Sequence, residues 1–246
     1  MKSEPKKPVV SVIVPVFNAE RYVADSINSI LRQTSPASEI IVVDDGSTDA
    51  SAKVVKSFGS AITYCYQRNR GAAAARNAGI RLAAGEFLAF LDADDLWTPD
   101  KIRRQLDLFG THANIQIVFG KVEQFVSSEL DPRFQSRLRP ELKRMPGYHV
   151  GTMLIETDAF HGVGYFNEKL HLGEFIDWFD RAQQSNLRHD MVEEVVMKRR
   201  IHRTNQGLFK RDFRKDYITV LKAAIDRKRE HGASEDREPG NGRKPE

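Results

Sequence analysis

Cysteine is almost absent from the sequence, and several other features are missing altogether. The one cysteine, Cys65, excludes an internal disulfide and a thiolate metal site built from these residues. No run of about 18 apolar residues occurs, so the sequence predicts no transmembrane helix. The N-terminal segment MKSEPKKPVV has no long apolar stretch of the kind found in a secretory signal. From these absences we expect a cytoplasmic protein.

Positive charge is unevenly distributed along the chain. The net charge is +4, yet residues 198–230 contain twelve Lys or Arg and four Asp or Glu, which leaves the rest of the chain at −4. The pattern predicts a basic amphipathic helix over residues 207–230 and disorder over 231–246. Such a helix can meet anionic lipid, a phosphorylated substrate or nucleic acid, or can simply be solvated. We favour peripheral contact with the inner face of a membrane and expect no nucleic-acid partner.

The first half of the chain alternates apolar runs with helical patterns. The runs at 9–17, 39–47, 61–67 and 86–95 predict buried parallel strands, and the segments between them have helical periodicity. This alternation indicates an α/β fold with a mostly parallel central sheet flanked by helices. The second half is less regular, with strands predicted at 115–126, 148–155 and 190–202, a long loop at 127–147 and a helix at 174–186.

Carboxylates are clustered at the end of the fourth predicted strand, in the segment FLAFLDADD. In open parallel sheets, ligands bind beyond the carboxyl ends of the strands. If the segment stays extended, Asp92 and Asp94 project the same way and converge on one point. A hard cation such as Mg²⁺ or Mn²⁺ would relieve their repulsion. Asp95 lies close to the next helix, which we expect to begin at Thr98, and is predicted to be structural.

Side chains suited to a nucleotide occur near two other strand ends and on a helix. Phe17 can stack on a base, Asp45 can accept a hydrogen bond from a base imino group, and Arg76 can approach a phosphate. Each also has a plain structural interpretation: a core ring, a turn acid and a surface charge. Their shared position at one sheet edge favours the nucleotide interpretation.

Five ordered blocks of the sequence resemble the family 2 glycosyltransferases, which have the GT-A fold. The blocks are VSVIVPVFNAERYVADSINSILRQT, EIIVVDDGSTD, NRGAAAARNAGI, GEFLAFLDADDLWTPDKI and RRIHRTNQG. The resemblance covers residues 9–206 and implies a donor-binding half at 9–110 and an acceptor half at 111–206, after a flexible segment at 1–8. It also implies a nucleotide-sugar donor, usually UDP-linked, and a glycan or lipid-linked acceptor.

The same resemblance assigns roles to individual residues. On the donor side it implies nucleoside contacts from Pro15, Phe17, Asn18 and Asp45. It implies a donor contact from Arg76 and a ribose or sugar contact from Asp92. It also implies a Mn²⁺ or Mg²⁺ site made by Asp94 and His202 with Asp92. On the acceptor side it points to His149, Gly151 and Thr152. Trp178 can stack on a sugar ring there or belong to the core.

The chain departs from the family pattern where the catalytic base is expected. The family commonly has a Glu-Asp pair with the Asp as base, but here the stretch reads GEFIDWFDR and Phe175 occupies the Asp position. The remaining candidates are Glu174 and Asp177, which lie near one helical face. We favour Glu174, although the helix dipole stabilises its ionised form and weakens it as a base. Alternatively, Asp177 braces the site, or both are structural and activity is altered.

These observations lead to one principal hypothesis and three alternatives. The principal hypothesis is a metal-dependent, inverting glycosyltransferase. A nucleotidyltransferase would need a glycine-rich basic loop after the first strand, where this chain has PVFNAER, and a dehydrogenase would need G-x-G-x-x-G. A sugar-nucleotide-binding or scaffold protein of the same fold is the non-enzymatic alternative, with Phe175 as its main support.

Overall fold

The parallel part of the sheet is built from the four apolar runs of the first half. In this computed structural model, which describes residues 9–130, 144–202 and 214–235, the strands are β1 (Val10–Val16), β2 (Glu39–Asp44), β3 (Thr63–Tyr66) and β4 (Phe87–Phe90). They pair in parallel in the order β3-β2-β1-β4. The predicted parallel sheet is therefore confirmed.

The remaining strands extend the sheet beyond β4. They are β5 (Leu96–Trp97), β6 (Ile117–Val126), β7 (Arg144–Met145), β8 (Leu154–Glu156) and β9 (His189–Ile201), and the order continues β4-β8-β6-β9-β5 with β7 paired to β6. Strand β8 is antiparallel to both β4 and β6, and β6 is parallel to β9. The carboxyl ends of β1, β2, β4, β6 and β9 therefore lie at the same edge of the sheet.

Helices cover both faces of the sheet, as the sequence predicts. They are α1 (Val23–Leu31), α2 (Ser51–Lys56), α3 (Ala72–Leu82), α4 (Lys101–Thr111), α5 (Thr157–Val163), α6 (Glu174–Gln184) and α7 (Arg214–Glu235). Alternation along β1 separates two cores: Val12 and Val14 pack with the apolar faces of α1, α2 and α4, whereas Ile13 packs with α3, α5 and α6. Gly79 lets α3 approach β1 closely, since a Cβ there would lie 2.5 Å from Ile13.

Three predicted boundaries are wrong. Segment 148–155 is a short 3₁₀ helix, Val150–Thr152, followed by β8, because His149 caps it by accepting a hydrogen bond from the Gly151 amide. Helix α4 begins at Lys101 rather than near Thr98, since residues 96–97 pair with β9 and the Thr98 hydroxyl donates to the Val195 carbonyl. Strand β4 ends at Phe90, and residues 93–94 form a turn closed by a hydrogen bond from the Asp95 amide to the Asp92 carbonyl.

The C-terminal helix differs in extent from the predicted one. Helix α7 spans Arg214–Glu235, so its last turn enters the segment predicted to be disordered. Residues 1–8, 131–143, 203–213 and 236–246 lie outside the described residues, and the predictions that fall on them are untested. In the part of the chain that is described, no helix combines the length and the apolarity needed to cross a bilayer.

Candidate active site

The shared carboxyl edge of the strands carries most of the predicted donor residues. Phe17 and Asn18 follow β1, and Phe17 is 45% exposed, as a base-stacking ring would need to be. Pro15 is half-buried within β1, opposite Val43 of β2. Asn18 has a left-handed backbone with φ of 49°, and its Oδ1 accepts a hydrogen bond from the Thr48 amide at 2.8 Å. This contact ties the end of β1 to the loop after β2.

Asp45 holds the loop that follows β3. Its Oδ1 accepts hydrogen bonds from Gln67 Nε2 at 2.7 Å and from the Arg70 amide at 2.9 Å, and its Oδ2 accepts from the Gly71 amide at 2.8 Å. The side chain is buried at the sheet edge. A carboxylate has about four acceptor positions, so these three bonds leave capacity for one further donor. Asp45 therefore shapes the loop and keeps one acceptor position.

Arg76 does not point a free cation at a phosphate, which corrects the sequence-based assignment. Its side chain is buried, and its two terminal nitrogens are both paired: Nη1 donates to Glu174 Oε1 and Nη2 donates to Asp92 Oδ1, each at 2.6 Å. Burial alone would lower the pKa of Arg76, but the two carboxylates reverse that effect and raise it. Arg76 is thus a fixed charge that joins the donor side to the acceptor side of the site.

Asp92 and His149 share the electrostatic field around Arg76. Burial raises the pKa of Asp92, but the charges of Arg76 and, more weakly, His149 outweigh burial and the net shift is downward. Burial lowers the pKa of His149, and the Asp92 carboxylate only partly opposes that shift. Because His149 Nδ1 accepts from the Gly151 amide at 3.0 Å, the neutral ring carries its proton on Nε2. His149 therefore lies within the electrostatic field of Arg76 and Asp92, and its role on the acceptor side stays a prediction.

Asp94 turns toward a different partner from Asp92. Its Oδ2 lies 2.7 Å from His202 Nε2, so the turn between the two aspartates separates their carboxylates instead of letting both project the same way. The His202 ring also packs against the Tyr22 ring, with centroids 4.7 Å apart. His202 follows β9, whose carboxyl end lies at the ligand edge. The distant sequence positions 94 and 202 therefore form one pair.

Asp95 is structural, as predicted. Its side chain is buried, its Oδ1 accepts a hydrogen bond from the Arg200 amide at 2.8 Å, and its carbonyl accepts from the Ser26 hydroxyl at 2.7 Å. Burial, followed by the charges of Asp94 and Asp92, raises the pKa of Asp95. The residue thereby links the turn after β4 to α1 and β9.

The ligand groups around Asp94 fit a cation that takes some of its ligands from the protein and the rest from a substrate. No group of three or more His, Cys, Asp or Glu side chains within the described ranges is arranged to hold a metal. Asp94 and His202 form a pair of one carboxylate oxygen and one imidazole nitrogen, while Asp92 Oδ1 is engaged by Arg76. Mg²⁺ characteristically binds one or two protein groups and completes its shell with phosphate oxygens and water. Asp94 and His202 therefore suit such a site, and the predicted participation of Asp92 would have to come from Oδ2, since Oδ1 is paired with Arg76.

Glu174 is the first residue of α6, and its neighbour Phe175 belongs to an aromatic cluster. Phe175 is nearly buried and stacks on Phe179 with an interplanar angle of 8° and centroids 5.8 Å apart. It also meets Phe119 edge-to-face. A carboxylate in that position would lie among rings, so the replacement of the usual Asp by Phe is accommodated by the surrounding packing. Glu174 is therefore the candidate base next to this cluster, and its carboxylate pairs with Arg76.

Asp177 is not available as a base, which corrects its sequence-based candidacy. The side chain is buried, its Oδ2 accepts from Arg181 Nε at 3.2 Å, and its Oδ1 accepts from Arg227 Nη1 at 3.1 Å. Two guanidinium groups therefore hold the carboxylate. Asp177 braces α6 against α7, the structural alternative that the sequence left open.

Thr152 and Trp178 are both fully buried, which corrects the acceptor-side assignment of Thr152 and agrees with the core alternative for Trp178. The Thr152 hydroxyl contacts the Gly147 and His149 carbonyls and so fixes the 3₁₀ helix. Trp178 stacks on Phe160 at 4.9 Å and donates from Nε1 to the Gly164 carbonyl at 2.8 Å. Neither side chain faces an acceptor; both support the elements that carry His149 and Glu174.

Two residues near the site were not singled out from the sequence. Tyr22 immediately precedes α1, and its ring packs on His202. Arg200 donates from Nε to the Asp94 carbonyl at 3.0 Å and lies over the Tyr22 ring. Alternation along β9 places Arg200 and His202 on the same side of the strand, and this signal was present in the block RRIHRTNQG.

Comparison with known proteins identifies the family. A model of glycosyl transferase family 2 matches residues 11–171, which is more than half of the chain. The chain belongs to glycosyltransferase family 2. An uncharacterised glycosyltransferase of Rickettsia typhi is 33% identical over 219 residues, which cover 82% of this chain and 67% of the relative. The putative teichuronic acid biosynthesis glycosyltransferase TuaG of Bacillus subtilis is 43% identical over 105 residues, which cover 41% of this chain and 42% of TuaG.

Solved structures of TarS from S. aureus share the fold. TarS 1–349 in complex with UDP-GlcNAc superposes with a TM-score of 0.70 at 21% identity, covering 88% of this chain and 65% of that one. The complex of the same fragment with UDP gives a TM-score of 0.67, covering 88% of this chain and 64% of that one. The chain thus spans just under two thirds of the TarS fragment. The likeness confirms the GT-A-type α/β fold predicted from the sequence.

Proposed function

We propose that this glycosyltransferase is a metal-dependent, inverting enzyme that moves a sugar from a nucleoside-diphosphate donor to a hydroxyl acceptor. The observation that carries the proposal is the convergence of the Asp94–His202 pair and the Arg76-linked carboxylates of Asp92 and Glu174 at one sheet edge. That edge is where open parallel sheets bind ligands. The arrangement supplies one side for a diphosphate and another for an acceptor.

A UDP-sugar is the donor that we propose. The structural neighbour TarS is described in complex with UDP and with UDP-GlcNAc. In this chain the exposed ring of Phe17 would stack on the base, and the remaining acceptor position of Asp45 would take the uracil imino hydrogen. Asn18 and Pro15 would line the same subsite. Asp92, held by Arg76, would face the ribose or the transferred sugar.

Asp94 and His202 would hold a Mn²⁺ or Mg²⁺ ion at the diphosphate. When bound, the cation neutralises the charge that develops on the leaving nucleoside diphosphate. Arg200 and the Tyr22 ring support this pair by fixing the Asp94 carbonyl and the His202 ring. The protein's contribution is to hold one oxygen and one nitrogen ligand 2.7 Å apart at the sheet edge.

Glu174 would act as the general base. The acceptor hydroxyl would give its proton to the Glu174 carboxylate while its oxygen forms a bond to the anomeric carbon. The bond from that carbon to the diphosphate oxygen would break on the opposite face, so the configuration inverts. Arg76 orients the carboxylate through Oε1. A positioned base of this kind contributes about 10²–10⁴-fold to a rate.

The acceptor that we propose is a glycan or a lipid-linked sugar of cell-envelope assembly. The similarity to TuaG, named for teichuronic acid biosynthesis, supports a polysaccharide acceptor. His149, whose neutral ring has a proton on Nε2, would donate a hydrogen bond on the acceptor side. The described residues of α6 and the 3₁₀ helix at 150–152 form the framework of that side.

UDP release tests the proposal. The protein is incubated with a panel of UDP-sugars and Mn²⁺, with and without glycan acceptors, and compared with Glu174→Gln and Asp94→Ala. We expect turnover in the unmodified protein and its loss in both variants. Donor binding without any turnover in the unmodified protein would instead favour the sugar-nucleotide-binding or scaffold function, for which Phe175 is the supporting observation.

A further inference from the structure

Helix α7 has two faces of opposite character. One face packs against the domain: Val220 is buried and lies next to Gly173, where an added Cβ would be 3.4 Å from it. The Asp216 carboxylate accepts hydrogen bonds from the His171 and Leu172 amides at 2.8 and 3.1 Å. Asp216 and Val220 are four residues apart, one helical turn, so they define a single packed stripe.

Arg227 continues the packed stripe and locks it to α6. Its guanidinium donates to Asp177 Oδ1 at 3.1 Å and to Asp180 Oδ2 at 2.7 Å. Burial would lower the pKa of Arg227, but the two carboxylates raise it, so the guanidinium stays protonated. Because Glu174 is the first residue of α6, α7 is fixed to the helix that carries the proposed base.

The opposite face of α7 exposes a stripe of large apolar side chains. Ile218, Leu221 and Ile225 are 67%, 62% and 51% exposed. Their spacing of three and four residues aligns them along one side of the helix. Three aliphatic side chains in a row on one exposed helix face need a partner that removes them from water.

The charge around this stripe is positive. Lys222 is exposed beside it, and the 3.6-residue period places the sequence positions of Arg214, Lys228 and Arg229 on the same side of the helix. Of the acidic positions, Asp216 faces the domain, and Asp226 and Glu230 fall on the flank of the helix beyond Lys222. An apolar stripe edged by Lys and Arg is the pattern of helices that lie in the interface of an anionic bilayer.

We infer that the outer face of α7 docks on an anionic lipid surface, with Ile218, Leu221 and Ile225 entering the interface and the flanking basic residues meeting lipid phosphates. A second copy docked through the same face of α7 would bring like charges together, so lipid rather than a symmetric dimer is the proposed occupant. The docked helix would hold the Glu174 side of the site at a fixed position relative to the membrane. Lipid binding is independent of turnover, so this inference stands or falls separately from the proposed transfer.

Vesicle flotation with the full chain tests the inference. We expect binding to vesicles of phosphatidylcholine mixed with phosphatidylglycerol, little binding to pure phosphatidylcholine, and release at high salt. The triple variant Ile218→Ser, Leu221→Ser, Ile225→Ser should lose binding. Lys222→Glu should weaken it about fivefold or more, since each charge near the surface changes the affinity by about that factor.

Matched controls separate the stripe from general surface properties. Leu82→Ser removes an exposed leucine on α3, and Lys53→Glu reverses an exposed charge on α2; both should bind like the unmodified protein. Circular dichroism confirms that each variant is folded. Equal binding to neutral and anionic vesicles, no binding at all, or equal losses in the controls would overturn the inference. The inference would also be overturned if the protein did not bind vesicles and instead sedimented as a dimer that only the triple serine variant dissociates.

Discussion

Arg76 Nη1 lies 2.6 Å from Glu174 Oε1, and the other terminal nitrogen of the same guanidinium lies 2.6 Å from Asp92 Oδ1. One buried cation therefore couples the turn after β4 to the start of α6. The paired carboxylates, Asp92 and Glu174, are 82 residues apart in sequence. The position of the proposed base depends on a side chain of α3.

Replacing Arg76 should be costly. Arg76→Met leaves two largely buried carboxylates without their common partner, and we expect a loss of about 3–5 kcal/mol in the free energy of unfolding. Arg76→Lys should recover only part of it, since one ammonium cannot span both carboxylates in the same geometry. Urea denaturation measures the loss. As a control, Arg103→Met removes an exposed ion pair and should cost about 1 kcal/mol or less; an equally small loss at Arg76 would contradict the bridging role.

Glu174→Gln should abolish transfer without abolishing donor binding. The amide keeps the size of the side chain but cannot take a proton, so kcat should fall about 10²–10⁴-fold while the donor Kd stays near its original value. Asp177→Asn is the matched control: it should lower the melting temperature by weakening the contacts to Arg181 and Arg227, with kcat little changed. A Glu174→Gln enzyme with its original kcat would remove Glu174 as the base.

Restoring the usual acid at position 175 should harm the fold. Phe175→Asp places a carboxylate beside Phe119 and Phe179, and we expect a loss of about 3 kcal/mol or more from missing packing and desolvation. Phe175→Leu keeps an apolar side chain and should cost about 1.5 kcal/mol or less. Chemical denaturation of the two variants gives the comparison. If Phe175→Asp were as stable as the unmodified protein, the cluster would not explain why Phe is accommodated there.

The metal requirement should depend on Asp94 and His202. Asp94→Asn and His202→Ala should each raise the Mn²⁺ concentration for half-maximal activity about tenfold or more, by analogy with losses in metal affinity when supporting groups are removed. His161→Ala, an exposed histidine on α5, controls for the general loss of an imidazole. Titration of UDP release with Mn²⁺ gives the values, and an unchanged metal dependence in both site variants would argue against this pair as ligands.

A buried lysine should give the protein's stability a measurable pH dependence. Lys101 is fully buried on α4, contacts Gln105 Oε1 at 2.7 Å and lies 4.1 Å from the centroid of the Trp97 ring; burial lowers its pKa well below the usual value. The unfolded chain then binds more protons than the native state between the lowered pKa and about 10.5. Stability due to this group therefore rises with pH in that window, by up to about 1.4 kcal/mol per pH unit.

The variant Lys101→Met isolates that contribution. Its unfolding free energy should rise less steeply with pH than that of the unmodified protein over the same window, whatever its absolute stability. Lys53→Met, at an exposed position on α2, should leave the slope unchanged. Urea melts at several pH values provide the slopes, and parallel curves for Lys101→Met and the unmodified protein would mean that Lys101 is charged in the native state.

Local pattern was enough to predict the parallel half of the sheet. The apolar runs around Val12 and Ile41 are continuous and lack the polar alternation of a half-exposed strand. This pattern indicates strands buried on both faces, as in a parallel sheet. The position of Asp94 and His202 at one edge follows in turn from the direction of the strands. The resemblance to family 2 glycosyltransferases added the roles of residues that no local pattern defines.

Side-chain partners could not be predicted in the same way. The pairing of Arg76 with Glu174 depends on the tertiary approach of the Arg76 side chain to the start of α6, which leaves no trace in sequence spacing. Trp178 and Asp177 sit on the same helix as Glu174, but their burial depends on contacts with α5 and α7. The turn after Phe90 likewise depends on where β5 meets β9. These are tertiary contacts, and they decided which predicted residues face the site.

The place of β9 between β6 and β5 also dictates when the protein can assemble. Asp94 and His202 are 108 residues apart, so the ribosome has released nearly all of residues 9–202 before this pair can form. Strands β1 to β4 are complete much earlier, and the outer edge of β4 then waits unpaired for β8. Nascent chains of intermediate length therefore present an open apolar strand edge, which is where chaperone binding and misassembly during synthesis should concentrate.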